Sequence, residues 1–210
     1  MDLNIALILI IAANVVFSFM GFENMSLMRR YDFHVGSIRA GEQIRMFSSG
    51  FLHADVPHLA FNMLTLYFFA PIVVLNMGSW SFLLVYIGSL LFGSLLTLYF
   101  HKDDLYYRAL GASGAVTGVV YSAILYAPNM EIYGFIPGYI FGLAYLLFSI
   151  YGMKAKRDNI GHVAHFGGAI GGYVITLCKA PYMFVDNQLT VIALAIPIII
   201  LFVMAKTGKL

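Results

Sequence analysis

Gly111-Ala112-Ser113-Gly114 stands between a polar loop, residues 101–108, and an apolar run that begins at Ala115. A turn of small residues therefore leads straight into a predicted helix. Ser113 falls at that helix N-terminus, where backbone N–H groups lack an intrahelical acceptor and the dipole favours negative charge. A nucleophile at such a point carries part of an oxyanion hole in its own backbone. Gly114 and Gly118 follow at a spacing of four, which lets a second helix approach closely. On the motif alone, a small-residue helix start that only packs is the stronger account, because short motifs recur by accident.

The surroundings of this turn are set by composition. The chain of 210 residues is 61% hydrophobic and 10% charged, with a mean hydropathy of +0.86. Soluble domains average about 45–50% apolar and about 25% charged, so this is an integral, multi-pass membrane protein. A net charge of +2 without a basic stripe gives no case for nucleic acid. Cys178 is the lone cysteine, so an internal disulfide framework is excluded, and a small apolar helix residue is its simplest role.

Runs of about membrane-spanning length cover 3–20, 58–77, 80–100, 113–127, 132–151, 161–178 and 189–204. The expectation is one domain over 1–210: an all-α membrane bundle with a six-helix core over about 3–178 and a seventh, C-terminal helix. The first run lacks a basic leader and reads as an uncleaved span rather than a signal peptide. The fourth is short, which would submerge Ser113 at the floor of a cavity. The segment 21–52 is long and semi-polar yet carries Met25, Met28, Phe33, Ile38, Ile44 and Phe47. It reads as a structured segment at the membrane interface, in contact with the lipid bilayer, rather than a linker.

Polar groups inside spans are costly and so are candidates for function. The second run opens with His53 and Asp55, followed by His58 and Asn62, which share a helix face. Both can donate to an anionic oxygen, and both equally fit a helix–helix hydrogen bond. The sixth run opens with His162 and His165, and Gly168 and Gly172 continue the His165 side. Packing that face on Gly114 and Gly118 would bring His165 towards Ser113, and a serine bonded to a histidine is an activated nucleophile. Spacing alone does not choose between the two histidines. Depth and the adjoining glycine face favour His165, leaving His162 at a hydrated helix mouth. The aromatics of the fifth run, Tyr133, Phe135, Tyr139, Phe141, Tyr145 and Phe148, are expected mostly to face lipid or to pack.

Rival chemistries fit less well. No His-Glu-x-x-His motif is present for zinc, and every Asp and Glu lies in a loop or near a span end. That disfavours paired intramembrane carboxylates and a carboxylate-driven transporter. No third triad member is evident, so a dyad is the better reading.

Gly-Ala-Ser-Gly-Ala-Val at 111–116, His58-x-x-x-Asn62 and Ala164-His165-Phe166-Gly167-Gly168 together resemble the rhomboid family of intramembrane serine proteases. The stretch Gly41-Glu42-Gln43-Ile44-Arg45-Met46-Phe47 through Phe51-Leu52-His53 is similar to that family's first loop. The resemblance implies Ser113 as nucleophile and His165 as general base. It implies oxyanion and substrate contacts from His58, Asn62 and Gly111, with the Ser113 N–H, and Phe61 at the substrate gate between the second and fifth helices. It implies transmembrane protein substrates, cleavage at small residues and a bacterial-type cell membrane. Acyl transfer needs no metal or organic cofactor. Some rhomboid-like proteins bind transmembrane helices without cutting, and the intact Ser113 and His165 speak against that alternative.

Three positions depart from the family pattern: Ile44 where Trp is frequent, Ala70 and Val74 where a Gly and a Glu are common, and Thr117 where many members stack an aromatic on the catalytic ring. The last leaves the support of His165 unspecified. Orientation is contested as well. Arg29, Arg30, Arg39, Arg45, Lys102, Arg108, Lys154, Lys156 and Arg157 lie on the active-site side, with Lys206 and Lys209 in the tail, against Lys179 opposite. The positive-inside rule turns that side to the cytoplasm, whereas the resemblance turns it away.

Overall fold

The computed structural model describes residues 4–155 and 161–209. Asn4 caps α1, Ile5–Glu23. Asn24 ends it and caps α2, Met25–Tyr31, accepting from the Ser26 and Leu27 N–H groups. The first loop then runs through β1, Phe33–His34, α3, Val35–Arg39, α4, Arg45–Ser48, and a 3₁₀ turn, Ser49–Phe51. It buries a small core of Phe33, Val35 and Ile38 while Met25 and Ile44 stay exposed. This is the structured segment that its apolar content predicts.

The second and third spans are one long element, α5, Val56–Phe100, folded at Gly78. Gly78 has φ +78°, a left-handed conformation that suits glycine. Asp55 accepts from the His58 N–H at 2.7 Å and so fixes where α5 begins. The chain continues through β2, Arg108–Ala109, α6, Ser113–Tyr126, β3, Glu131–Ile132, and β4, Ile136–Pro137. It ends with α7, Gly138–Ala155, α8, His162–Lys179, the short α9, Met183–Asp186, and α10, Gln188–Lys206. The result is an all-α bundle with two minimal antiparallel ladders, β1 on β2 and β3 on β4.

The fifth span begins later than its hydropathy indicates. Residues 131–137 form a hairpin, with Tyr133 at φ 56° and Gly134 at φ 76°. Pro137 restricts the residue before it to extended backbone, and the helix starts at Gly138. By length and composition, α1, α5 and α10 can cross a membrane. α6 is only 14 residues long, and every residue from Gly114 to Leu125 is buried. At about 1.5 Å per residue it spans ~21 Å, well short of the ~30 Å hydrocarbon core.

α6 is held between the second leg of α5 and α8. A Cβ on Gly168 would collide with the Gly114 carbonyl, and one on Gly172 with the Gly118 carbonyl. Ser89 of α5 closes on Gly118 and Gly171. This is the predicted glycine face, filled from both sides. α10 packs on α7 and α8: Leu194 fills the space over Gly142, and the Tyr173 hydroxyl donates to the Val191 carbonyl.

Candidate active site

Ser113 is the first residue of α6 and is half-buried. The approach to it is tightly specified. Gly111 has φ +131°, and a Cβ there would meet the His58 ring at 2.7 Å. That same point lies 3.8 Å from the Ser113 hydroxyl, so Gly111 provides the room in which His58 and Ser113 adjoin. The Gly111 N–H is already used, donating to the Ser49 carbonyl at 3.0 Å. The Ala112 N–H donates to Nε2 of His53 at 3.3 Å.

His53 is buried, and the pull of burial, with His58 adding to it, lowers its pKa to about 3. It is neutral, with Nε2 accepting, so Nδ1 carries the proton and donates to the Ser18 hydroxyl at 2.8 Å. Ser18 in turn donates to the Phe51 carbonyl at 3.1 Å. The serine turn is thereby fastened to α1 and to the first loop.

A second fastening comes from charge. Asp32 accepts from Arg45 at 3.1 Å and from Arg108 at 2.7 Å. Burial raises the Asp32 pKa, while Arg108 and then Arg45 oppose the rise. Arg45 also donates to the Arg29 and Asp32 carbonyls. His34 pairs with Arg108 in the β1–β2 ladder, so the first loop is stitched to the strand that leads into Gly111. Arg45 and Arg108 are thus committed to structure and count for little as topology signals. Of the other cations in that argument, Lys156 and Arg157 lie outside the described residues.

One cavity of about 1130 Å³ is lined by His58, Phe61, Asn62, Gly111, Ser113 and His165 together. Asn62 gives one amide proton to the His58 carbonyl at 3.0 Å and keeps a second for the cavity. Phe61 is 72% exposed on the flank of α5. The hairpin residues Glu131, Ile132 and Tyr133 reach the same cavity from the other side. A separate hollow of about 550 Å³, near Arg39 and Lys102, contains none of these groups.

The two histidines of α8 part company. His165 lines the cavity, and its Nδ1 lies 2.9 Å from the Tyr145 hydroxyl. His162 is buried rather than hydrated: its ring occupies the space over Gly152 and meets Phe148 edge-on at 5.9 Å. The hydrated helix mouth expected for it is instead an α7–α8 contact. Tyr145 enters the site without having been singled out for it, beside Thr117, the position whose departure left the support of His165 unspecified. Their hydroxyls are 3.4 Å apart, and Thr117 donates to the Ser113 carbonyl at 2.7 Å. Tyr145 was hidden within an aromatic-rich stripe, and its spacing of four from Phe141 is its only sequence signal.

Residues 40–182 match the family profile described as Rhomboid domain. The chain belongs to the rhomboid family. Among its relatives, RHOMBOID-like protein 12, mitochondrial, of Arabidopsis thaliana is 27% identical over 188 residues, covering 80% of this rhomboid chain and 56% of that protein. YdcA of Bacillus subtilis (strain 168) is 34% identical over 66% of this chain and 68% of its own. Rhomboid protease GluP of the same strain is 32% identical over 65% of this chain and 26% of its own. The rhomboid chain thus spans about half of the first relative's length and a quarter of GluP.

Proposed function

We propose that this rhomboid cuts transmembrane segments of membrane proteins as a serine endopeptidase with a Ser113–His165 dyad. The supporting observation is the cavity of about 1130 Å³ lined by Ser113, His165, His58 and Asn62 together. In the reaction, the Ser113 hydroxyl oxygen bonds to the scissile carbonyl carbon and its proton passes to Nε2 of His165. The developing oxyanion takes hydrogen bonds from the Ser113 N–H, the Asn62 amide and His58. His165 then returns the proton to the leaving amine, and water hydrolyses the acyl-enzyme. No metal or organic cofactor takes part.

A helical substrate hides its carbonyls in intrahelical bonds, so it must unwind before attack. Gly, Pro and other weak helix formers near the cut lower that cost. The exposed Phe61 flank beside the cavity is the entry we assign to such a segment. Its relatives include mitochondrial as well as bacterial proteins, and of the two we assign it to a bacterial-type cell membrane. The test is labelling by a serine-reactive fluorophosphonate together with cleavage of a model transmembrane substrate. Both are expected in the wild type and neither in Ser113→Ala. Substrate capture without cleavage or labelling in the wild type would make the protein a helix-binding module instead.

A further inference from the structure

We infer that Tyr145 is a positioning residue that fixes the tautomer of His165, and that it does so through a hydrogen-bond chain returning to the nucleophile's own backbone. The inference rests on the Ser113–His165 dyad proposed above. Proton counting fixes the first bond and limits the other two. The Ser113 carbonyl can only accept, so the Thr117 hydroxyl spends its one proton there, at 2.7 Å. Thr117 can then only accept from Tyr145, at 3.4 Å, the loosest link of the chain. The Tyr145 hydroxyl can then either donate to Thr117 and accept from His165 Nδ1, at 2.9 Å, or donate to Nδ1 and leave Thr117 without a donor. Only the first makes every link a hydrogen bond, and it is the arrangement we assign: Nδ1 carries the proton of the neutral ring and Nε2 the lone pair.

That is the protonation a general base working through Nε2 requires. When Nε2 takes the Ser113 proton, Nδ1–H keeps its acceptor, and the chain Nδ1–H to Tyr145 to Thr117 to the Ser113 carbonyl points its dipoles to favour the imidazolium. Tyr145 itself neither gains nor loses a proton. Its ring also stacks on His165, centroids 5.9 Å apart and 26° from parallel, and is backed in turn by Phe141 at 5.9 Å and 17°. Phe141 and Tyr145 lie four apart on α7, so one helix face supplies both. The small Thr117 is what makes room. An aromatic at position 117 would fall where the Tyr145 ring enters from the neighbouring helix. The ring that meets His165 comes from α7, while α6 offers only the Thr117 hydroxyl beside it.

The experiment uses the whole protein in detergent, with a transmembrane substrate and a fluorophosphonate as probes. Tyr145→Phe keeps the stacked ring and removes the acceptor. We expect kcat and the labelling rate of Ser113 to fall together by about tenfold or more, with KM unchanged. Thr117→Val should produce a smaller fall in kcat, and Thr117→Ser should restore it. Wild-type kcat in Tyr145→Phe, or a change confined to KM, overturns the inference. If Tyr145→Phe does not fold, the Val and Ser variants at 117 decide: equal kcat in both overturns it. Ser113→Ala runs in parallel. Activity surviving there defeats the dyad reading itself, whereas an inactive Ser113→Ala beside a fully active Tyr145→Phe defeats only the role of Tyr145.

Discussion

The backbone N–H of Ala112, one residue before Ser113, donates to Nε2 of His53 across 3.3 Å. The turn that aims the serine is held by a histidine that must stay neutral to hold it. His53 titrates normally near 6.5 in an unfolded chain but at about 3 in the folded one, because it is buried and His58 adds to the effect. Between those values the unfolded chain binds a proton that the folded chain does not. The stabilisation from His53 is therefore complete above pH 6.5 and drains away as pH falls towards 3, by a few kcal/mol. Thermal midpoints in detergent from pH 4 to 7.5 should fall with acid in the wild type and be flatter in His53→Ala. Parallel curves would show that His53 does not carry this linkage.

Asp32 is expected to matter more than its partner Arg108. The Asp32 and Arg45 side chains are 6% and 8% exposed, whereas Arg108 is 44% exposed. Asp32→Ala removes the buried carboxylate shared by Arg45 and Arg108, while Arg45 keeps Glu42 and the Arg29 and Asp32 carbonyls, and should cost about 2 kcal/mol. Arg108→Ala should cost about 1 kcal/mol or less. Chemical denaturation of the three proteins checks the order, and equal losses would contradict it.

Gly168→Ala should part α6 from α8, because the new Cβ collides with the rigid backbone at Gly114. His165 stands one turn before Gly168, so a shift of α8 also moves it away from Ser113. We expect a lower thermal midpoint and weaker fluorophosphonate labelling. Unchanged values of both would mean that the two helices tolerate separation.

Asn62→Ala should lower turnover by about 10–1000-fold, the range for one oxyanion donor. Its second amide proton is the group at stake, since the first is held by the His58 carbonyl. Loss of substrate affinity with intact turnover would make Asn62 a binding residue.

His165→Ala should eliminate labelling and proteolysis. His162→Ala should lose stability, since its ring fills the space over Gly152. It should keep a tenth or so of the activity, a loss of about 1.4 kcal/mol. The reverse pattern of activities would show that His162, not His165, is the base.

The spans were legible because intramembrane helices must be apolar, and the Gly114/Gly118 and Gly168/Gly172 pairing was legible because close approach needs small residues at fixed spacing. The hairpin before α7 was missed because Ile132, Tyr133 and Phe135 are as apolar as a helix, and hydropathy does not register the turn at Tyr133-Gly134. Tyr145 was missed for a related reason. An aromatic stripe gives the same pattern whether it meets lipid or the His165 ring, and only the tertiary placement of α7 against α8 separates the two. His162 misled in the opposite direction: its place at a helix start suggested water, and the bare surface of Gly152 provides a dry seat instead.

The enclosure of α6 bears on how the molecule is made. Its glycine face is completed by α8, which begins only at His162. A nascent chain that has emerged as far as Tyr126 holds Ser113 but neither wall of α8 nor His165. On the proposed dyad, synthesis keeps Ser113 and His165 apart until α8 is made, and a ribosome-bound fragment that ends before α8 lacks the proposed base. Truncations ending before α8 should accordingly be inert and short-lived, with an apolar helix of small residues left unclothed among the lipids.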